Sequence, residues 1–247
     1  MSSPLPYALH SVQVKRARLI SPHTKRLTIN ASALSGLRAD LPGQWFKVFI
    51  AKQEEGRPVG RAYTVRHFDP VTHDVDVDFY LHGDTGPVSA WAERVQIGDE
   101  LQISDVHPRS GYTVRQDVGQ YLFFGDETSL PAIAAILECL PENAQAQAYI
   151  EIEDAHEELM LSSPASLTVN WLHRSEMPAA TGSALLEAAR QVSITGPDTM
   201  IWVAAESTDV SAIRKHFTRE KKVERQQLYA VGYWKRGKAD HQEDEES

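Results

Sequence analysis

The pattern of the chain changes once, near residue 119, and this change limits the folds that it can adopt. Up to about residue 115, short alternating stretches are separated by Pro and Gly turns, as is typical of antiparallel strands. Six candidate strands are SVQVKRARLI, TKRLTIN, QWFKVFI, RAYTVRHF, HDVDVDFYLH and DELQIS, and one helix, GPVSAWAERV, precedes the last of them. Short strands at this spacing predict a small antiparallel β-barrel.

After Gly119 strands and helices alternate. We predict strands at 120–124, 146–152, 167–172, 200–205 and 227–232, and helices at 129–140, 181–191 and 208–220, whereas 153–166 is only weakly helical. This alternation predicts a doubly wound, parallel, five-stranded sheet. The predicted organisation is a six-stranded barrel domain at residues 1–116, an α/β domain at 117–236, and an acidic tail at 237–247 that we expect to be disordered.

Charge and cysteine content exclude several classes of protein. The net charge is −9, and it would be only −4 without the five acidic residues of the tail, but the chain lacks the basic surface that nucleic-acid binding requires. The single cysteine, Cys139, lies in an apolar, helix-like run, so we expect a buried thiol and a reducing compartment. No signal peptide or membrane-spanning stretch is recognisable, and we expect a cytoplasmic protein that binds no membrane.

The motif R-A-Y-T at residues 61–64 begins one of the barrel strands. Strand alternation predicts that Arg61 and Tyr63 share a face. A guanidinium holds a phosphate through two hydrogen bonds, a phenol ring can cover a flat heteroaromatic, and Thr64 offers a hydroxyl and an amide to a ring nitrogen. The same residues equally suit an ordinary strand in which Tyr63 packs on its neighbour.

A second motif, H-G-D-T-G-P-V-S at residues 82–89, is a glycine-rich turn that leads directly into a helix. The free amides at a helix N-terminus form an anion site, so a pyrophosphate could bind there. Taken alone, the segment also suits an ordinary capped helix.

R-A-Y-T followed by G-P-V-S at a helix start resembles the flavin signature of the ferredoxin-NADP reductase superfamily. Within it, DFYLHGDTGPVSAWAERVQIGDEL, GDETSLPAI, WLHR, WVAAE and GYWKRG resemble the siderophore-interacting proteins, which are flavin-dependent ferric-siderophore reductases. These motifs occur in the expected order from about residue 8 to residue 238.

The resemblance implies FAD as the cofactor of the barrel domain. It implies that Arg61 and the turn formed by Gly86, Pro87, Val88 and Ser89 hold the pyrophosphate, that Tyr63 stacks on the isoalloxazine, that Thr64 contacts the flavin near N5, and that His82 lies near the cofactor. NADPH or NADH would donate a hydride to the flavin, which would reduce a ferric siderophore for iron release during iron uptake. Lys47, Arg109, Lys235 and Arg236 are the positions that best correspond to the family's substrate-binding cations.

Several acidic and polar residues follow strands of the α/β domain. Asp126, Glu127 and Thr128 follow its first strand, and Glu206 ends its fourth strand. Ligands bind at the carboxyl ends of such strands, so we expect these residues to line the nicotinamide entry, although helix capping would also explain them. Arg174 follows the third strand, where it could meet the 2′-phosphate of NADPH or simply be a solvated surface residue.

The missing motifs limit the chemistry. There is no dinucleotide Gly-x-Gly-x-x-Gly, no P-loop and no Gly-x-Ser-x-Gly, and a single cysteine cannot ligate an iron–sulfur cluster. We expect no metal site and no catalytic residue beyond those that place the flavin. Two alternatives remain: an electron carrier or flavin reductase serving a ferredoxin, and a siderophore-binding module without enzymatic activity.

Overall fold

Two units make up the chain, Met1–Thr113 and Val114–Ser247. The computed structural model describes residues 8–32, 39–50, 60–82, 87–176 and 183–238. Among the helices of these residues, none is long and apolar enough to cross a membrane.

Within the residues that the structure describes, the first unit is an antiparallel sheet of seven strands with one helix. Its elements are β1 (Leu9–Ser21), β2 (Thr24–Asn30), β3 (Trp45–Phe49), β4 (Arg61–Thr64), β5 (His67–Asp69), β6 (Asp74–Tyr80), α1 (Pro87–Arg94) and β7 (Glu100–Ser104). The strand order is β4-β3-β7-β1-β2-β6-β5.

This sheet closes because its two outer strands are one continuous segment. β4 pairs with β3, and β5 pairs with β6, yet only two residues separate β4 from β5. Those two residues continue the hydrogen bonding. The amide of Val65 donates to the carbonyl of Gln44 at 2.8 Å, and the amide of Arg66 donates to the carbonyl of Asp76 at 2.9 Å. The predicted strand RAYTVRHF is therefore bent into two, and a six-stranded prediction corresponds to seven observed strands.

Alternating apolar side chains fill the barrel. Val75, Val77 and Phe79 of β6 are at most 1% exposed and belong to one core cluster with Phe46 and Val48 of β3. Each such side chain contributes roughly 1.5–3 kcal/mol when it is fully buried. Three aspartates, Asp74, Asp76 and Asp78, alternate with these apolar residues along β6.

The second unit is a parallel sheet covered by helices. It contains β8 (Gln120–Asp126), α2 (Leu130–Leu137), β9 (Gln145–Ile152), β10 (Ser166–His173), α3 (Ala184–Gln191), β11 (Thr199–Glu206), α4 (Ser207–Lys215) and β12 (Leu228–Trp234). A π-helical turn, His216–Glu220, continues α4.

The strand order β10-β9-β8-β11-β12 is that of a doubly wound sheet, and every pair is parallel. The order reverses between β8 and β11, and in open sheets ligands bind outside the carboxyl ends at such a switch point. The predicted fold class is confirmed.

The expectation of a buried Cys139 is wrong. The predicted helix 129–140 ends at Leu137, and the amide of Cys139 then donates to the carbonyl of Ile136 at 3.0 Å in a tighter turn. All eight residues of α2 are buried, whereas Cys139, two residues beyond its end, is exposed. The expectation of a reducing compartment therefore cannot rest on burial of this thiol.

Candidate functional site

The R-A-Y-T strand carries two faces, as predicted. In the β3–β4 pairing Tyr63 lies opposite Phe46, and Arg61 lies opposite Val48. Because directly paired residues share a face of the sheet, Arg61 and Tyr63 lie on the same face. The ring of Tyr63 packs on that of Phe79 with centroids 4.3 Å apart. Packing on a neighbouring strand, the simpler interpretation of this tyrosine, is thus present, and it leaves the side chain half-buried.

Arg61 and Tyr63 have the chemistry of a phosphate and a ring contact. Burial raises the pKa of the Tyr63 hydroxyl, with the charge of Arg61 opposing the shift, so the phenol is neutral at physiological pH. Arg61 is also half-buried, and its Nη1 lies 3.4 Å from the carbonyl oxygen of Gly60. A cation and a neutral aromatic ring on one face fit the pyrophosphate and the ring system of a flavin nucleotide.

The other face of the same strand pair carries Thr64 and Lys47. Trp45 lies opposite Thr64, and Lys47 lies opposite Ala62, so these pairs alternate along the strands with the Arg61 and Tyr63 pairs of the first face. Thr64 is buried, and Lys47 is half-buried. The diagonal positions of Lys47 and Thr64 are within reach of a long side chain. A predicted substrate cation thus lies beside a predicted flavin contact.

Arg109 lies in a loop that is fastened to Trp45. The ring of His107 stacks on Trp45 at 4.3 Å and 12°, and the amide of His107 donates to the carbonyl of Trp45 at 2.8 Å. The Ser110 hydroxyl accepts from the Trp45 amide at 3.3 Å and donates to the carbonyl of His107 at 2.7 Å. Arg109 is exposed on this loop. No sequence motif pointed to the Trp45–His107 stack.

The second predicted flavin motif, residues 82–89, is described by the structure only at His82 and at the start of α1. The Ser89 hydroxyl is buried and accepts from the amide of His82 at 3.3 Å, while Val88 packs in the barrel core. His82 is exposed. Pro87 is the first residue of the helix, and Gly86 lies outside the described residues.

Asp126 ends β8 at the switch point and is 5% exposed. Its Oδ1 accepts from the amide of Thr128 at 2.9 Å and from the hydroxyl of Thr128 at 2.6 Å. Its Oδ2 accepts from the indole Nε1 of Trp234 at 2.7 Å. Burial raises the pKa of Asp126 to about 6 although these hydrogen bonds oppose the shift. All three donors hold the carboxylate in place.

Gly125 allows this strand end to meet α2 closely. A Cβ at that position would lie 2.6 Å from Cδ1 of Ile133, so a larger residue would force the helix away. The Ser129 hydroxyl lies 3.1 Å from both the amide nitrogen and the carbonyl oxygen of Asp126.

Glu206 ends β11 and caps α4. Its carboxylate accepts from the amides of Thr208 at 2.5 Å and Arg236 at 3.2 Å. Burial alone would raise the pKa of Glu206, but hydrogen bonds from the Arg236 and Thr208 backbone hold it below its usual range. The capping role considered from the sequence is therefore present, and it also binds the segment after β12.

Lys235 and Arg236 belong to that segment. The Ser207 hydroxyl donates to the carbonyl of Trp234 at 3.0 Å, and the amide of Lys238 donates to the carbonyl of Lys235 at 3.0 Å. Lys235 is half-buried, and Arg236 is exposed. Trp234, quoted only as part of a family motif, had no role in the sequence interpretation, yet it joins the ends of β8, β11 and β12.

Glu127 and Arg174 form an ion pair. Nη1 of Arg174 lies 3.0 Å from Oε2 of Glu127, and Nη2 contacts Oε1 of the same residue. The cation that the sequence offered to a 2′-phosphate is thus engaged by a carboxylate of the β8–α2 loop. Within the described ranges, no group of His, Cys, Asp and Glu side chains is arranged to hold a metal ion.

Comparison with known structures first defines the class of the fold. A ferredoxin-NADP+ reductase from Plasmodium falciparum superposes with a TM-score of 0.70 over 92% of this chain and 98% of that chain, at 13% sequence identity. The chain therefore has the fold of the ferredoxin-NADP reductases, as the flavin motifs predicted.

The family follows from sequence. Residues 118–237 match the siderophore-interacting protein family, and residues 51–111 match its siderophore-interacting FAD-binding domain. Ferric vibriobactin reductase ViuB of Vibrio cholerae is 30% identical over 242 residues, covering 90% of this chain and 88% of that protein. A siderophore utilization protein from T. fusca superposes with a TM-score of 0.83 at 30% identity, over 96% of each chain. This chain belongs to the siderophore-interacting protein family and is an FAD-binding oxidoreductase.

Proposed function

We propose that this protein reduces ferric siderophores with electrons from NADH or NADPH, releasing iron as Fe(II) in the cytoplasm. The observation that carries the proposal is the β3–β4 pair, in which Lys47 lies opposite Ala62 of the R-A-Y-T strand, and this strand falls within the residues that match an FAD-binding domain. The similarity to a ferric vibriobactin reductase along nearly the full length of both chains supports the same substrate class.

The residues of the barrel suit FAD. Arg61 would bind the pyrophosphate, Tyr63 would cover the ring system from one side, and Thr64 would offer a hydrogen bond near N5. His82 and the turn ending at Ser89 would lie toward the pyrophosphate. Bound FAD would supply the conversion of a two-electron donor into one-electron transfers.

Siderophore binding requires local positive charge because many ferric chelates are anionic. Lys47 and Arg109 border the Trp45–His107 stack, and their cations would attract such a chelate even though the net charge of the protein is negative. Lys235 and Arg236 are the corresponding cations of the second unit. Asp126, Glu127, Thr128 and Glu206 would shape the nicotinamide entry, chiefly by fixing the loops around it.

Iron release follows from ligand hardness. Hard oxygen ligands bind Fe(III) more tightly than Fe(II), so reduction loosens the chelate and lets cellular ligands take the metal. The protein needs no general acid or base at the iron. Its residues act by binding and orienting the two partners of the electron transfer.

The test is Fe(II) formation by purified protein. Protein reconstituted with FAD is mixed anaerobically with NADH or NADPH and a ferric catecholate or ferric hydroxamate, and Fe(II) is trapped with a chromogenic chelator. We expect Fe(II) to form at catalytic rates only when FAD is bound. Catalytic reduction of an artificial dye without reduction of either chelate would contradict the proposal and favour a protein electron acceptor.

A further inference from the structure

Arg174 lies among three carboxylates at the carboxyl edge of the parallel sheet. Glu127 binds both of its terminal nitrogens, and carboxylate oxygens of Glu151 and Glu153 each lie 3.4 Å from the guanidinium. The Glu127 side chain is only 8% exposed, and that of Arg174 is 33% exposed. The two-point pairing with Glu127 uses the fork geometry that a phosphate would need.

The charge of this cluster is negative. One guanidinium faces three carboxylates, which leaves an excess of two negative charges when all are ionised. Burial raises the pKa of Glu151, while the charge and hydrogen bond of Arg174 oppose that rise. The neighbouring His173 contacts carboxylates of its own, since its Nε2 lies 2.9 Å from a carboxylate oxygen of Glu158 and its Nδ1 lies 3.5 Å from one of Glu176.

The position of the cluster in the sheet gives it a meaning for nucleotide binding. Counted along the chain, β9 is the second strand of the sheet, and Glu151 and Glu153 lie at its carboxyl end. In dinucleotide-binding sheets, an acid near this strand end accepts a hydrogen bond from the ribose 2′-hydroxyl of NAD, whereas an arginine nearby accommodates the 2′-phosphate of NADP. Here both residue types are present, but the arginine is already paired.

We infer that Glu127, Glu151 and Glu153 make this edge selective for NADH over NADPH by holding Arg174 away from a 2′-phosphate and by accepting from a 2′-hydroxyl. The inference rests on the proposed function, in which a nicotinamide nucleotide is the electron donor. It argues against one of the two roles that the sequence left open for Arg174, contact with the 2′-phosphate of NADPH. A phosphate monoester carries about −1.5 to −2 charges at pH 7, so its approach to the cluster is opposed by like charge.

The test measures binding without turnover. NAD⁺ and NADP⁺ are titrated into the oxidised, FAD-loaded protein by calorimetry, since neither nucleotide can reduce the flavin. We expect NAD⁺ to bind at least about tenfold more tightly than NADP⁺. Equal affinities, or tighter binding of NADP⁺, would overturn the inference.

The carboxylates are tested by the double variant Glu151→Gln, Glu153→Gln, which keeps the hydrogen-bonding carbonyls and removes two charges. We expect NADP⁺ to gain affinity so that the ratio falls by roughly fivefold or more, with NAD⁺ affinity nearly unchanged. Glu158→Gln is the matched control, because Glu158 contacts His173, and it should leave the ratio unaltered. An unaltered ratio in the double variant would show that these carboxylates do not set the preference.

Binding of neither nucleotide would also overturn this inference, but it would not decide the proposed reduction. In that case photoreduced protein is mixed with the ferric siderophore in the absence of nucleotide. Formation of Fe(II) there would retain siderophore reduction and remove only the nicotinamide donor, whereas its absence would remove the reduction as well.

Discussion

Replacing Asp126 by Asn should remove one pH-dependent component of the free energy of unfolding. Burial raises the pKa of Asp126 from 3.8 to about 6, the hydrogen bonds from Thr128 and Trp234 oppose the shift, and the charge of Glu127 adds to it. The folded protein therefore binds a proton at this carboxyl more tightly than the unfolded chain does. Folding and protonation of Asp126 favour each other.

The sign and size follow from linkage. The stabilisation from protonating Asp126 is fully present below pH 3.8, and it is lost as the pH rises through about 6. The difference between the two pKa values corresponds to roughly 3 kcal/mol. Carboxylates with lowered pKa values, such as Glu206, act in the opposite direction, because their stabilisation is lost as the pH falls. Only a comparison with the variant isolates the contribution of Asp126.

The assay is urea unfolding of both proteins at several pH values between 7.5 and 4.5. The unfolding free energy of the wild type minus that of Asp126→Asn should increase by roughly 2 kcal/mol between pH 7.5 and 4.5, because the full difference of about 3 kcal/mol is reached only below pH 3.8. Glu142→Gln, at an exposed carboxylate of the same unit, is the matched control. Parallel curves for wild type and Asp126→Asn would refute the reasoning.

Three further changes test the barrel and the predicted substrate cations. Arg61→Ala should lower FAD occupancy because a pyrophosphate contact is lost, as measured by flavin absorbance after dialysis. The triple replacement of Lys47, Arg109 and Lys235 by Ala should raise the KM for an anionic ferric siderophore, measured by trapping Fe(II), without loss of FAD. Phe46→Ala should destabilise the protein by about 3–5 kcal/mol in urea unfolding, since Phe46 is fully buried in the barrel.

Matched controls accompany these variants. Arg18→Ala removes an exposed arginine of β1 and should leave the FAD content unchanged. Lys221→Ala removes an exposed lysine of the second unit and should leave the KM for the siderophore unchanged. Full retention of FAD by Arg61→Ala would count against its phosphate role, and an unaltered KM in the triple variant would count against the cations.

The fold was predictable because hydrophobic period and turn residues agree along most of the chain. The five parallel strands were each predicted within two residues at either end, since buried strands such as β8 and β11 are continuous apolar runs. The bend between β4 and β5 was not, because it depends on pairing with two different strands. Cys139 was misassigned because an apolar helical run does not show where its last turn tightens.

The types of residue in the candidate site could be predicted from the sequence, whereas their arrangement in space could be predicted only in part. Strand alternation correctly put Arg61 and Tyr63 on one face. The partners of Asp126 and Arg174 come from other strands, Trp234 from β12 and Glu151 from β9, and such long-range contacts leave no local signal. The acids at the end of the second strand, Glu151 and Glu153, are visible in the sequence and typical of a ribose contact, but Arg174 was interpreted without them.

The most direct test of siderophore reduction is an anaerobic visible spectrum of the FAD-loaded protein through both half-reactions. NADH is added first, and a ferric siderophore is added after the excess nucleotide has been removed. We predict that the flavin absorbance bleaches with NADH and returns with the chelate, with Fe(II) trapped in proportion. A flavin that bleaches and is not reoxidised by any ferric siderophore would contradict the account.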